Sequence, residues 1–236
     1  MKENATRIFV AVLMGVLLGA HRVDGGLSYW LTDWRLGDQD LNSQIGGTIG
    51  LDFGNLETGG TRLDIEYGYY ETAQSEDLHR GGLTLRFSHA FYPGILAGFL
   101  GYRANVYELQ NTYWHGRWQY TDKNLRVLHG PVVGIVGSYS LNHALGLDNV
   151  DSIYDVPSPW GISVYYEAML RPIVLLSGDV DDVDDKQGKG HGFEAGITVK
   201  HEHIYIRTGY RQEKVSSLAA SDERFSGVMF RLGFGF

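Results

Sequence analysis

Ser88 and His89 stand side by side, and acyl transfer needs those residue types as nucleophile and base within hydrogen-bond reach of each other. On a strand, adjacent side chains point to opposite faces, which keeps these two apart. His143 lies near Ser140 and Asp148 in the stretch 140–159, but no G-x-S-x-G or other serine-centred motif frames it. His201 and His203 share one face of an extended KHEH segment and, with His191, offer imidazoles to a metal. A metal site needs three or four ligands, so solvated turn histidines are the better reading. The run GDVDDVDDKQGKG gathers Asp179, Asp181, Asp182, Asp184 and Asp185, carboxylates of the type that hold Ca²⁺ or bridge it to lipid phosphates. It departs from the EF-hand pattern, with Val183 at position five and Asp184 where the turn glycine belongs. We expect a solvated acidic outer loop, and no cofactor beyond loosely bound Ca²⁺. The segment YWHGRWQY holds Tyr113, Trp114, Trp118 and Tyr120 beside His115 and Arg117. These are outer-loop contact candidates able to stack on sugars or a partner, or else part of an interfacial aromatic belt.

What must position these residues is nearly all strand. The chain has 236 residues, with 32 Gly and 15 Tyr against 5 Pro, a balance that favours turns and close-packed strands. Cysteine is absent, which removes disulfides, thiolate metal sites and cysteine nucleophiles. A formal charge of −8 argues against a nucleic-acid partner, which calls for a basic footprint.

Lys2 and Arg7 precede the uncharged run IFVAVLMGVLLGA, residues 8–20. Its length and flanks fit a signal-peptide core and are short for a membrane span. Cleavage after Ala20 and after Gly25 are both open. Residues 1–25 are set apart as the address and 26–236 as the mature domain. Taking three cations (Lys2, Arg7, Arg22) and two anions (Glu3, Asp24) from −8 leaves −9.

The remainder alternates with period two between turn signals. Leu63, Ile65, Tyr67 and Tyr69 share one face, and Arg62, Asp64, Glu66 and Gly68 share the other. Ile204, Ile206 and Tyr210 likewise oppose Tyr205, Arg207 and Arg211. Such alternation marks strands with one apolar and one polar face. Ten strands are expected near 27–36, 44–53, 61–71, 79–90, 94–108, 126–139, 160–171, 190–200, 203–213 and 223–236. Eight, with two segments misread, is the alternative. Tight connections fall at Tyr92–Pro93 and His201–Glu202, long outer ones at 109–125 and 172–189. The 140–159 connection is long yet on the side of the short turns.

The polar face carries Arg62, Asp64, Glu66, Arg86, Arg103, Glu167, Arg171, Glu194, Lys200, Arg207, Arg211 and Arg231. A small soluble barrel would place these outside, whereas a membrane barrel must pair them across its lumen. The eight cations among them exceed the four carboxylates.

The final nine residues, VMFRLGFGF, set Val228, Phe230, Leu232, Phe234 and Phe236 on alternate positions and end on an aromatic. This resembles the barrel-closing signature of bacterial outer-membrane β-barrel proteins. The resemblance implies an all-β, transmembrane up-and-down antiparallel barrel in the outer membrane of a Gram-negative bacterium. Its last strand would be read by the barrel-assembly machinery, and its neighbours would be outer-membrane lipid and lipopolysaccharide. The function expected first is a non-enzymatic barrel whose surface loops contact envelope lipids or a partner. A narrow, porin-like channel preferring anions through a basic lumen is the second reading, and a lipid-modifying outer-membrane enzyme the third.

Overall fold

The structure is a computed structural model that describes residues 22–36, 39–55, 59–72, 77–92, 95–115, 118–142, 144–145, 160–178, 187–216 and 223–235. Ten strands follow in chain order: β1 (Arg22–Leu36), β2 (Gln39–Asn55), β3 (Gly59–Thr72), β4 (Asp77–Tyr92), β5 (Leu96–His115), β6 (Trp118–Ser140), β7 (Trp160–Gly178), β8 (Gln187–His201), β9 (Ile204–Ser216) and β10 (Glu223–Gly235). Each pairs antiparallel with its sequence neighbours, and β1 pairs with β10, so the sheet closes into a barrel. Closure removes the edge strands, whose unpaired backbone groups lipid has no means to hydrogen-bond. Ten strands, not eight, is therefore the architecture.

The elements match the expected alternation, with two differences. Strands β5 and β6 continue as a hairpin to His115 and Trp118, with Tyr113 opposite Tyr120 and Trp114 opposite Gln119. The aromatic segment thus sits in paired strands flanking 116–117 rather than in a long loop, because alternate Thr, Tyr and Trp favour pairing. Similarly β7 runs to Gly178, which shortens the expected 172–189 connection to 179–186.

One end of the barrel carries the short turns. At 93–95 the Ile95 amide donates to the Tyr92 carbonyl at 3.0 Å. At Glu202–His203 the reversal is tight enough to hold Glu202 at φ 51°. The same end has the 141–159 connection, anchored where Asn142 Oδ1 accepts from the Ile162 amide at 2.8 Å. This end corresponds to the periplasmic side of a bacterial barrel.

Strand β7 holds one extra residue relative to both neighbours. Between Arg171 and Val174 it advances three positions while β8 advances two, and the register with β6 shifts between His129 and Val133. Pro172 lies in this bulge and Pro131 faces it; proline offers no N–H to the ladder, which is why the pairing breaks there. The bulge reverses the alternation. Tyr165, Met169 and Arg171 face inward before it; Val174 and Leu176 do so after it.

Candidate functional site

Inside the barrel, charge is layered. Nearest the short-turn end, Arg62 donates to Asp24 at 3.0 Å, Asp52 at 2.8 Å and Asp64 at 2.7 Å. Asp64 also accepts from Arg86 at 2.7 Å, and Arg86 reaches Glu167 at 2.6 Å across the lumen. Above this, Glu66 and Glu213 sit among three guanidinium groups. Arg80 lies 3.9 and 3.5 Å from them, Arg103 lies 3.5 and 3.1 Å, and Arg211 is 3.2 Å from Glu66 and bonded directly to Glu213. Charge-assisted bonds of this kind fix the position of each partner. Glycine makes the room: a Cβ at Gly50 would occupy the space of the Arg62 guanidinium.

Towards the outer ends of the strands the lumen turns apolar. Leu78, Tyr107, Leu128, Val174, Leu176, Val215 and Phe225 pack in one buried cluster. Tyr107 adds a 2.5 Å hydrogen bond to Glu223, and Arg80 and Arg211 each stand 5.8 Å from the Phe225 ring. Apolar side chains thus fill this end above the ion network. At the short-turn end a cavity of about 500 Å³ remains. It exists because small residues line it, among them Ser88, Ala90, Ala97, Ser138, Ser140 and Ser163.

All twelve residues expected in the lumen lie in strands at inward positions. Most belong to the networks above. Arg171, Lys200, Arg207 and Arg231 have no carboxylate partner among the described residues; Arg171 instead donates to the Leu128 carbonyl at 3.2 Å, and Arg207 bonds Thr198 Oγ1 at 3.2 Å and stacks over Tyr165. Sequence reasoning omitted the inward Asp24, Asp52, Glu213 and Glu223, as well as Arg80 and Arg126. With them the cationic excess of the twelve is halved. Asp24 was hidden inside the segment set apart as the address. The others lie inside the expected strands, at or next to their ends, on the inward parity, where alternation alone would have found them.

The outward face is apolar along the middle of each strand. Leu27 is 74% exposed and Leu232 57%, and Val228, Phe230 and Phe234 of the closing signature also point out; Phe236 lies outside the described residues. Histidines pair with aromatics near both rims: Tyr67 with His79 at 2.7 Å, and Trp160 with His201 at 4.5 Å between ring centroids. His191, His201 and His203 do not assemble, and among the described residues no group of three or more His, Asp or Glu could hold a metal. Asp179, Asp181, Asp182, Asp184 and Asp185 lie outside the described residues.

Two polar constellations remain on the outer part of that face. On β8–β10, Lys214 sits directly opposite Arg224 on one side and His191 on the other, with Lys189 on the same face. All four are exposed, and no carboxylate among the described residues pairs with them. On β5–β7, Tyr102 Oη is 2.5 Å from His129 Nδ1, and His129 Nε2 is 2.9 Å from Ser177 Oγ.

A closed antiparallel barrel, apolar outside and charged within, inverts the arrangement of a soluble protein and can be solvated only by lipid. The chain is a transmembrane β-barrel with the architecture of bacterial outer-membrane barrels. It is similar in fold to the β domain of the Bordetella autotransporter BrkA (14% identity, TM-score 0.46, covering 91% of this chain and 98% of that one). It is also similar to the outer-membrane protease OmpT of Escherichia coli (10% identity, TM-score 0.46, 92% and 97%) and to the N-terminal barrel of Pseudomonas aeruginosa OprF (13% identity, TM-score 0.36, 92% and 99%). No protein-family model and no curated protein matches the chain.

Proposed function

We propose that this barrel works at its outer rim, where it holds the phosphate groups of envelope lipids, lipopolysaccharide above all, while its lumen stays shut. The observation that carries the reading is the Lys189–His191–Lys214–Arg224 patch. Like charges directly opposite in a ladder repel, so Lys214 facing Arg224 calls for an anion between them. Lys214 is ten positions beyond Ile204, the first residue of β9. At about 3.3 Å per residue and a tilt near 40°, that is about 25 Å of height, the thickness of the apolar band. The cations therefore stand at the headgroup level of the outer leaflet.

The same reading includes export with removal of residues 1–20. Cleavage after Ala20 leaves Asp24 in place to bind Arg62 and to pair with Gly235, whereas cleavage after Gly25 would delete both. Val228–Phe236 would serve the assembly machinery as the closing strand. The aromatic hairpin tip at Tyr113, Trp114, Trp118 and Tyr120 would present a second contact surface beyond the membrane.

Binding is tested with the refolded mature barrel and lipid A, intact or dephosphorylated. We expect retention of the phosphorylated form only, lost in the Lys214→Ala/Arg224→Ala double variant. Equal retention of both forms, or survival in the double variant, rejects the reading. Conductance in a planar bilayer addresses the lumen: steady anion-selective current from the unaltered chain would favour the channel instead.

A further inference from the structure

We propose that Ser177, His129 and Tyr102 form an acyl-ester hydrolase site on the lipid-facing surface, acting on the ester-linked acyl chains of outer-leaflet lipid. The inference relies on the preceding reading only for the placement of the outer rim at the outer leaflet.

The three residues come from three adjacent strands, 48 and 27 positions apart in sequence for the Ser–His and His–Tyr pairs. They meet because of the β7 bulge. With unbroken alternation Ser177 would share the inward face of Tyr165, Met169 and Arg171. The extra residue at Pro172 reverses the parity, so Leu176 goes in and Ser177 goes out beside His129. Bulges re-aim side chains in this way.

The connectivity matches what nucleophilic acyl transfer requires: a nucleophile bonded to a base whose far nitrogen is oriented by a third group. When Nδ1–H donates to the Tyr102 oxygen, the Nε2 lone pair is free to accept the Ser177 proton. Tyr102 is the positioning residue, and a neutral phenol fixes the tautomer less firmly than a carboxylate does. In the first step Oγ bonds to the ester carbonyl carbon and its proton passes to Nε2. The ester C–O bond then breaks, and Nε2 returns the proton to the departing alcohol. Water adds to the acyl-serine with the help of the same nitrogen, releases the chain as a fatty acid and restores the hydroxyl.

Depth agrees with this substrate. Ser177 pairs with Val127 and Val127 with Val106, ten positions beyond Leu96 at the start of β5. That gives the same height of about 25 Å as for Lys214, the level at which acyl chains join their headgroups. Exposed Val106, Leu125, Ile173 and Leu175 surround the site and would face the chain. An interfacial belt accounts for a Tyr–His pair, as Tyr67 and His79 show, but not for a serine on the second nitrogen.

The test uses the full mature barrel refolded in detergent, with its gel mobility before and after boiling as the check on folding. A water-soluble fluorophosphonate should modify Ser177, located by mass spectrometry. His129→Gln should slow modification by about a hundredfold or more, and Tyr102→Phe by less. In vesicles, fatty acid should be released from phospholipid or from lipid A, the two arms naming the lipid, and Ser177→Ala should abolish release. A folded barrel without an adduct at Ser177, or release that survives Ser177→Ala, overturns the proposal and leaves an interfacial hydrogen-bond chain. Because the probe carries no lipid phosphate, its reaction with Ser177 does not depend on lipid retention, so failure of phosphate binding is read separately.

Discussion

Lys214 of β9 and Arg224 of β10 lie directly opposite each other on the outward face, two exposed cations with no carboxylate partner among the described residues. In the absence of an anion this juxtaposition opposes pairing of the two strands. Lys214→Glu turns repulsion into attraction and should stabilise the lipid-free barrel by about 0.5 kcal/mol, read from urea unfolding in detergent. The same variant should lose phosphorylated lipid A, so stability and binding should move in opposite directions.

Glu213 is the hub of the central network, with Arg80, Arg103 and Arg211 around it. Glu213→Ala leaves three guanidinium groups with Glu66 and Glu194 as their nearest anions. Removing one partner from a buried ionic cluster costs about 3–5 kcal/mol. The unfolding midpoint should fall accordingly, and single-channel recordings should show more frequent openings than those of the unaltered barrel.

A methyl group at Gly50 would intrude on the Arg62 guanidinium. Gly50→Ala should therefore push Arg62 off Asp24 and Asp52, with an overpacking cost of about 1–3 kcal/mol. Gly47, whose added Cβ would meet a carbonyl oxygen at 3.6 Å, an ordinary contact, is the control: Gly47→Ala should change stability much less in the same unfolding series.

Val228 points into lipid at the middle of β10. Val228→Arg should cost about 2–4 kcal/mol, as for a cation at the bilayer midplane. Met229, inward and fully buried, should tolerate Met229→Leu with a cost under about 1.5 kcal/mol. A larger cost at Met229 than at Val228 would mean that the two faces have been assigned the wrong way round.

Much of the barrel was legible because period two is a local property. Arg62, Asp64 and Glu66 opposite Leu63, Ile65 and Tyr67 specify a strand and its two faces without reference to any neighbour. The twelve expected lumen residues follow from that rule. It fails where alternation is interrupted: the bulge at Pro172 sends Ser177 to the face the rule denies it. Strand ends were also hidden, since Tyr113–Tyr120 reads as a loop until pairing across the hairpin is seen.

The sequence by itself determined the strands, their apolar and polar faces and the closing segment Val228–Phe236, because backbone geometry ties each side chain's direction to its position in the chain. Tertiary structure alone decided which distant residues meet. Arg62 finds Asp24 from β1 and Asp52 from β2; Glu213 finds arginines from three strands; and His129 stands between Tyr102 and Ser177. Closure and register set those distances, and neither is encoded in any one strand: both arise only when all ten pair in a ring.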